Sequence, residues 1–220
     1  MQYSHFAEGE TNLFAFVLVG SRAQGLSNSN SDYDYRAITT LSPFRSLIKD
    51  YPAVSLFDFY KQLCNGSQST VETLWCPAIA SNGWKTLILN RHLFINSLYV
   101  NRLLSSSMGM YNAYIKDKNS NKLDAYRLRK KKCHAFRSLF IAESLINKQP
   151  YSLSPQKDLL LAIKYEDDDS LNFEDYYYYL RSKNIDLPET DRQAQHNLFL
   201  EICSEPGFKL ERDRIREVNL

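Results

Sequence analysis

Hydrophobic positions change their period once along this chain of 220 residues. Near the amino end the run Leu13-Phe14-Ala15-Phe16-Val17-Leu18-Val19 is continuous, bounded and rich in Val and Phe, which predicts a strand. Gly20 closes it at the point where a strand turns into a helix. Tyr33-Asp34-Tyr35-Arg36-Ala37-Ile38 is read as a second extended segment, and Ala53-Val54-Ser55-Leu56-Phe57-Asp58-Phe59 as a third strand. Between them, Ser42-Pro43 combines a good N-cap with proline at the first helical position and predicts a short helix through Ile48. A further helix is expected to run through Leu63 and stop at Asn65-Gly66, and Ser69 or Thr70 to cap one containing Glu72 and Trp75.

Beyond Asn90 the pattern is almost wholly helical. Helices are expected over residues 97 to 115 and from Asn121 to Asn147, the second with Phe136, Leu139, Phe140 and Ser144 at helical spacing and Pro150 past its end. Ser154-Pro155 opens the apolar Leu159-Leu160-Leu161-Ala162-Ile163 helix, Phe173 to Leu180 is another, and a last one begins near Thr190. The chain is therefore expected to be α+β, with a mixed domain over 1–90 and a helical domain over 91–220 that packs against the active site.

Composition narrows the partners. A net charge of +2 excludes a strongly basic coat, so any polyanion must meet a local patch. Cys64, Cys76, Cys133 and Cys203 are widely spaced, form no metal pattern and read as reduced thiols. The first ten residues lack the basic and apolar stretches of a secretory signal, and no apolar run reaches the ~18 residues of a membrane span, so a cytoplasmic protein with no membrane partner is expected. In that compartment Asn65-Gly66-Ser67 is a loop rather than a glycosylation site. The acidic run Glu166-Asp167-Asp168-Asp169 lacks the glycine and terminal glutamate of a calcium loop and reads as a solvated turn. Tyr176-Tyr177-Tyr178-Tyr179, within a helix, points its rings in different directions and reads as packing rather than a base-stacking platform.

Candidate chemistry concentrates after the first strand. Backbone NH groups following Gly20, with the Ser21 hydroxyl, suit phosphate oxygens at a helix start; Arg22 adds charge or points outward, and Gly25 permits a tight return. Asp32 and Asp34 lie two apart, so in an extended segment both carboxylates share a face and suit a Mg²⁺ ion, with Mn²⁺ as a substitute. Gly-Ser, a short spacer and Asp-x-Asp resemble the DNA polymerase β-like nucleotidyltransferase superfamily. The strings Gly20-Ser21-Arg22-Ala23-Gln24-Gly25-Leu26 and Ser31-Asp32-Tyr33-Asp34-Tyr35-Arg36 are similar to its RNA-ligase-associated branch. Looser likenesses follow in Phe57 to Lys61, in Thr70 to Leu74, in the Lys131, His134 and Arg137 helix, and in Leu159 to Lys164.

The resemblance implies a minimal polymerase palm, a mixed sheet with flanking helices, followed by a mostly helical C-terminal region. It also implies Mg²⁺-dependent transfer of an NMP from an NTP to a hydroxyl acceptor, an RNA end or a protein, with pyrophosphate release. Its third metal carboxylate would be Asp58, or the matching position is Ala53, Val54 or Ser55 and Asp58 is only a helix cap. Lys130, His134 and Arg137 at i, i+4 and i+7 form a face, edged by Lys131, for triphosphate or RNA, or else a solvated basic stripe. Glu72 by default satisfies a neighbouring lysine or backbone NH. The uncertain third carboxylate leaves an alternative: a catalytically weak, nucleotide-binding regulatory or antitoxin-like module.

Overall fold

The computed structural model describes residues 13–40, 53–121, 123–166 and 168–205. The predicted helix from Ser42-Pro43 to Ile48 lies outside them, as does Asp167. The described chain is α+β, with a small mixed sheet and many helices.

Strand β1 (Leu13–Val19) is the sheet's inner ladder. It pairs antiparallel with β2 (Asp34–Thr39) on one side and with β4 (Ala78–Ala80) on the other, and β2 pairs parallel with β3 (Ala53–Ser55), giving the order β3-β2-β1-β4. The register sets Ala15 against Ile38, Val17 against Arg36 and Val19 against Asp34. Directly opposed residues share a face, so one face of the sheet is fully buried at Ala15, Val17 and Ile38 and turns polar toward Asp34.

Helix ends follow from local caps. The third strand is shorter than its apolar run suggests because the Ser55 hydroxyl accepts the Asp58 NH at 3.0 Å and starts α2 (Leu56–Cys64) at once. Ser67 precedes α3 (Gln68–Thr73), two or three residues before the expected cap. A short helix α4 (Asn82–Leu89) and a 3₁₀ turn at Arg91–Phe94 lead to α5 (Ser97–Ser120), which is longer than expected and capped by Asn96. Asp124 caps α6 (Ala125–Ile146) by accepting the Arg127 NH at 2.8 Å, so this helix starts four residues later than the pattern suggests. Helices α7 (Lys157–Tyr165), α8 (Phe173–Arg181) and α9 (Arg192–Ser204) complete the described chain, with Asn172 and Asp191 capping the last two. None of these helices is long and apolar enough to cross a membrane.

One hydrophobic cluster runs through both halves, from Phe14 and Ile38 of the sheet through Phe59 of α2 to Leu139 of α6 and Phe199 of α9. Tyr176 and Tyr177 of the tyrosine block pack against this core, whereas Tyr178 and Tyr179 are exposed. Within the cluster, the buried Tyr60 hydroxyl donates to the Gln195 carbonyl at 2.6 Å and ties α2 to α9. Tyr60→Phe is therefore expected to lower stability by about 1–2 kcal/mol in urea unfolding, with an unchanged urea dependence.

Candidate active site

The sequence from β1 into β2 folds as a tight bend around a glycine. Gly20 has φ +70, and a Cβ on it would overlap Oδ2 of Asp34 and stand 3.0 Å from its carboxyl carbon. Only a residue without a side chain lets the second strand bring its carboxylate this close. The single turn α1 (Gly20–Ala23) then ends in a paired closure, with Gly25 NH to Arg22 O at 3.1 Å and Leu26 NH to Ser21 O at 2.9 Å, which requires the left-handed φ of +68 at Gly25. That closure sends the chain back toward Asp32 and Asp34.

The spacer is fixed by its own polar groups. Asn28 NH donates to the Ser31 hydroxyl at 3.0 Å, and the Ser31 hydroxyl to Asn28 Oδ1 at 3.1 Å. Arg22 spends its Nε and one terminal nitrogen on the Ser31 carbonyl, at 2.9 and 2.6 Å, with its guanidinium 3.9 Å over the Tyr33 ring. Arg22 thus braces the spacer instead of adding charge at the bend.

Asp34 opens β2, and Asp32 lies just before it; both are exposed. The rings of Tyr33 and Tyr35 stack with centroids 6.5 Å apart, on the side of the chain opposite Asp34. Two exposed carboxylates fit Mg²⁺, which takes one or two carboxylates and completes its shell with water and phosphate oxygens. Among the described residues no group of three His, Cys, Asp or Glu side chains could hold a metal.

Asp58 does not join this pair. It sits exposed in the first turn of α2, accepting the Ser55 hydroxyl at 2.7 Å. Its neighbour Ser55 pairs with Thr39, five residues along β2 from Asp34 and so roughly 17 Å away. Nor is Asp58 the helix cap: Ser55 caps α2, and Asp58 lies three residues further on, inside the helix, as its hydrogen-bond partner. Ala53 is level with Ala37, Val54 with Ile38 and Ser55 with Thr39, so these alternatives lie beyond the carboxylates as well.

Beside the bend lies a cavity of about 450 Å³ whose lining includes Gly20, Gln24, Arg36, Glu72, Thr73 and Arg137. Arg137 and Glu72 form a buried ion pair at 2.9 Å. Gln68 donates to Glu72 at 2.8 Å and exchanges hydrogen bonds with Ser138, and Arg137 reaches the Leu153 carbonyl at 3.0 Å. Burial opposes the Arg137 charge, but the Glu72 carboxylate more than offsets it and holds the guanidinium protonated. Arg137 Nε and Gln24 Oε1 are buried without a partner among the described residues. Cys76 also lines the cavity; burial and then Glu72 push its thiol up to about 12, so it is a neutral wall rather than a nucleophile.

The helical half grips the bend from outside. The Ser154 hydroxyl donates to the Gln24 carbonyl and the buried Lys164 ammonium to the Leu26 carbonyl, each at 2.5 Å, and Tyr165 reaches the same Leu26 carbonyl at 3.3 Å. His134, half-buried on α6, is pulled down to about 4 by burial and then by the charges of Arg137, Lys130 and Lys164. Lys131 turns away and ion-pairs with Asp117 of α5.

Of the residues singled out from the sequence, Gly20, Asp34 and Arg137 are gathered at one end of the sheet, with Ser21, Gly25 and Asp32 in the segment joining them. Arg22 serves the spacer, and Lys131 and Asp58 belong to other contacts. Glu72, expected to pair with a lysine or backbone NH, instead pairs with Arg137. Arg36, two residues after Asp34 on the same face, lines the cavity, as does Gln24; the alternation of β2 was the signal for Arg36. No protein-family model, curated protein or solved structure matches this chain.

Two expectations follow. Glu72→Ala strands a buried guanidinium and should cost about 3–5 kcal/mol in denaturant unfolding, whereas replacing both partners with apolar residues should cost much less. His134 also makes stability depend on pH. The unfolded imidazole takes a proton near 6.5 and the folded one near 4, so stability is full above 6.5 and falls as pH drops through that window. Urea midpoints of His134→Gln should fall less steeply over the same range.

Proposed function

We propose that the protein is a Mg²⁺-dependent nucleotidyltransferase built on a minimal polymerase-like palm, moving an NMP from an NTP to an acceptor hydroxyl with release of pyrophosphate. One observation carries the reading: the Gly20 backbone and the Asp34 carboxylate meet at the paired ends of β1 and β2, beside a cavity with two arginines. A bend with a bare α-carbon lets phosphate oxygens approach the backbone, and an adjoining carboxylate pair supports the cation that phosphates bring. Mg²⁺ would supply charge neutralisation on the triphosphate and on the leaving pyrophosphate.

The chain's own residues then have separable tasks. NH groups and the Ser21 hydroxyl at the bend receive the outer phosphates, and Asp32 and Asp34 hold the cation. Arg36 and Arg137 offer positive charge at the cavity wall, where water is partly excluded and charge is worth more. Arg22, Lys164 and Ser154 position the bend without touching substrate. The acceptor oxygen attacks the α-phosphorus as the bond to the bridging oxygen breaks, and the acceptor's proton needs a base. Asp58, in the first turn of α2 and roughly 17 Å along the sheet from Asp34, is too far to be that base.

Incubation of protein, Mg²⁺ and each α-labelled NTP with RNA ends or protein acceptors should transfer label. Asp34→Ala should reduce transfer by about 10³-fold or more, in line with loss of a principal electrostatic group. Wild-type rates in Asp32→Ala and Asp34→Ala would sink the assignment. Asp58→Asn should stay active, with α2 slightly destabilised. A second reading, nucleotide binding without transfer, is favoured by the lack of a third carboxylate among the described residues. It predicts calorimetric binding of Mg²⁺-NTP with no pyrophosphate release.

A further inference from the structure

The cavity beside the bend is lined by side chains with polar atoms that the chain itself leaves unpaired. Gln24 Nε2 and one terminal nitrogen of Arg137 both donate to Oε2 of Glu72, at 3.5 and 2.9 Å, so the two side chains are neighbours on a single oxygen. A ring of bonds closes around them: Arg137 reaches the Leu153 carbonyl at 3.0 Å, and the next residue, Ser154, returns to the Gln24 carbonyl at 2.5 Å. A carboxylate only accepts, so the Gln24 amide must turn Nε2 toward Glu72, which commits Oε1 to the other side of the amide. Oε1 of Gln24 and Nε of Arg137 are then buried with no partner among the described residues. One is an acceptor and the other a donor, and native interiors leave few such atoms unsatisfied.

Arg36 adds charge to the same space. It lines the cavity, makes only long contacts of 3.4 Å to the Ser69 carbonyl and 3.5 Å to the Thr73 hydroxyl, and has no carboxylate within ion-pair range among the described residues. Burial lowers its proton affinity by more than the nearby Cys76 and Glu72 restore. The lining therefore carries two guanidiniums, Arg36 and Arg137, against one carboxylate, Glu72.

These unmet needs define a ligand. The surplus guanidinium calls for an oxyanion, Arg137 Nε for an acceptor and Gln24 Oε1 for a donor. Water meets the two orphans but not the charge. A fully ionised polyphosphate chain meets the charge but offers no donor to Gln24. The volume of about 450 Å³ is that of a small-molecule site.

We propose that this cavity is a site for a small hydroxylated oxyanion, a hydroxycarboxylate or a polyol phosphate monoester, whose anionic oxygens take Arg36 and Arg137 Nε and whose hydroxyl donates to Gln24 Oε1. The site stands on the cavity's own groups and is independent of nucleotide transfer.

Calorimetry on the full chain with gluconate and sorbitol 6-phosphate as probes tests it. Sorbitol lacks their charge, and hexanoate and hexyl phosphate lack their hydroxyls. One probe or both should saturate a single site, with the matched controls weaker by about tenfold or more because each leaves a buried group unpaired; the tighter probe names the anion. Arg36→Gln should weaken that probe by about tenfold or more. In the wild-type chain the Arg137 Nε–Hε resonance should shift with the same midpoint, a reading that needs no variant. Saturating Mg²⁺-ATP should leave probe affinity within about twofold. No saturable binding of either probe would overturn the proposal and leave the orphans to water. Controls that bind as well as the probes, wild-type affinity in a folded Arg36→Gln variant, or an unmoved Arg137 resonance would also overturn it. Displacement by Mg²⁺-ATP would overturn it in favour of a nucleotide site alone. Probe binding as expected in a protein that transfers no label would sink the transferase reading and leave this site standing.

Discussion

The contact between Asp34 and the bare α-carbon of Gly20 constrains everything near it. A carboxylate pressed on a backbone turn excludes any side chain at residue 20 and fixes where β2 must start relative to the end of β1. Once Val19 is held against Asp34, the antiparallel ladder sets Arg36 against Val17, and alternation brings Arg36 to the cavity side. The paired closure at Gly25 and the Arg22 brace on Ser31 then shorten the path from bend to carboxylates. The bend and the Asp34 carboxylate come together because one position has no side chain.

The helical half holds this bend through carbonyls rather than through apolar packing alone. Gln24 and Leu26 each give their carbonyl oxygen to a side chain from beyond residue 150. The Glu72–Arg137 pair crosses from α3 to α6 in the buried wall of the same cavity. Buried ion pairs seldom add net stability over apolar packing, since desolvation cancels most of the attraction. What the pair does at this wall is hold a guanidinium protonated at the edge of the cavity.

Legibility followed the range of the interactions. The first strand, the Gly20 bend and the stop of α2 at Asn65-Gly66 depend on neighbours in sequence, and the pattern of residues shows them. Strand β4 escaped notice because three residues, Ala78–Ala80, carry no periodicity and owe their conformation to pairing with β1. The apolar run from Ala53 reads as a strand through Phe59, yet the Ser55 cap turns it helical after three strand residues, and that same turn removes Asp58 from the carboxylates. Glu72 looked like an ordinary helix glutamate because its partner lies 65 positions away. The basic stripe on α6 was visible as spacing, but which of its charges are spent on acids depended on α5 and the turn after α7.

Charge is distributed so that neither half of the site is complete by itself. Among the described residues Asp32 and Asp34 have no cation bonded to them, and Arg129, Lys130, Lys157 and Lys164 have no carboxylate within ion-pair range. Direct pairing of the two sets would neutralise the surface and close the space between them. The Gly25 closure and the Arg22 brace hold the bend and spacer between them in a defined path. On the proposed reading, a metal-bound phosphate chain would carry both kinds of counterion, its metal for the acids and its oxygens for the bases. His134 shows the field already present on the basic side: its imidazole is kept neutral well below its ordinary range by burial and by the charges around it. An anion entering that side would relieve the same repulsion, so binding should raise the proton affinity of His134 and become more favourable as the medium is acidified toward the imidazole's range.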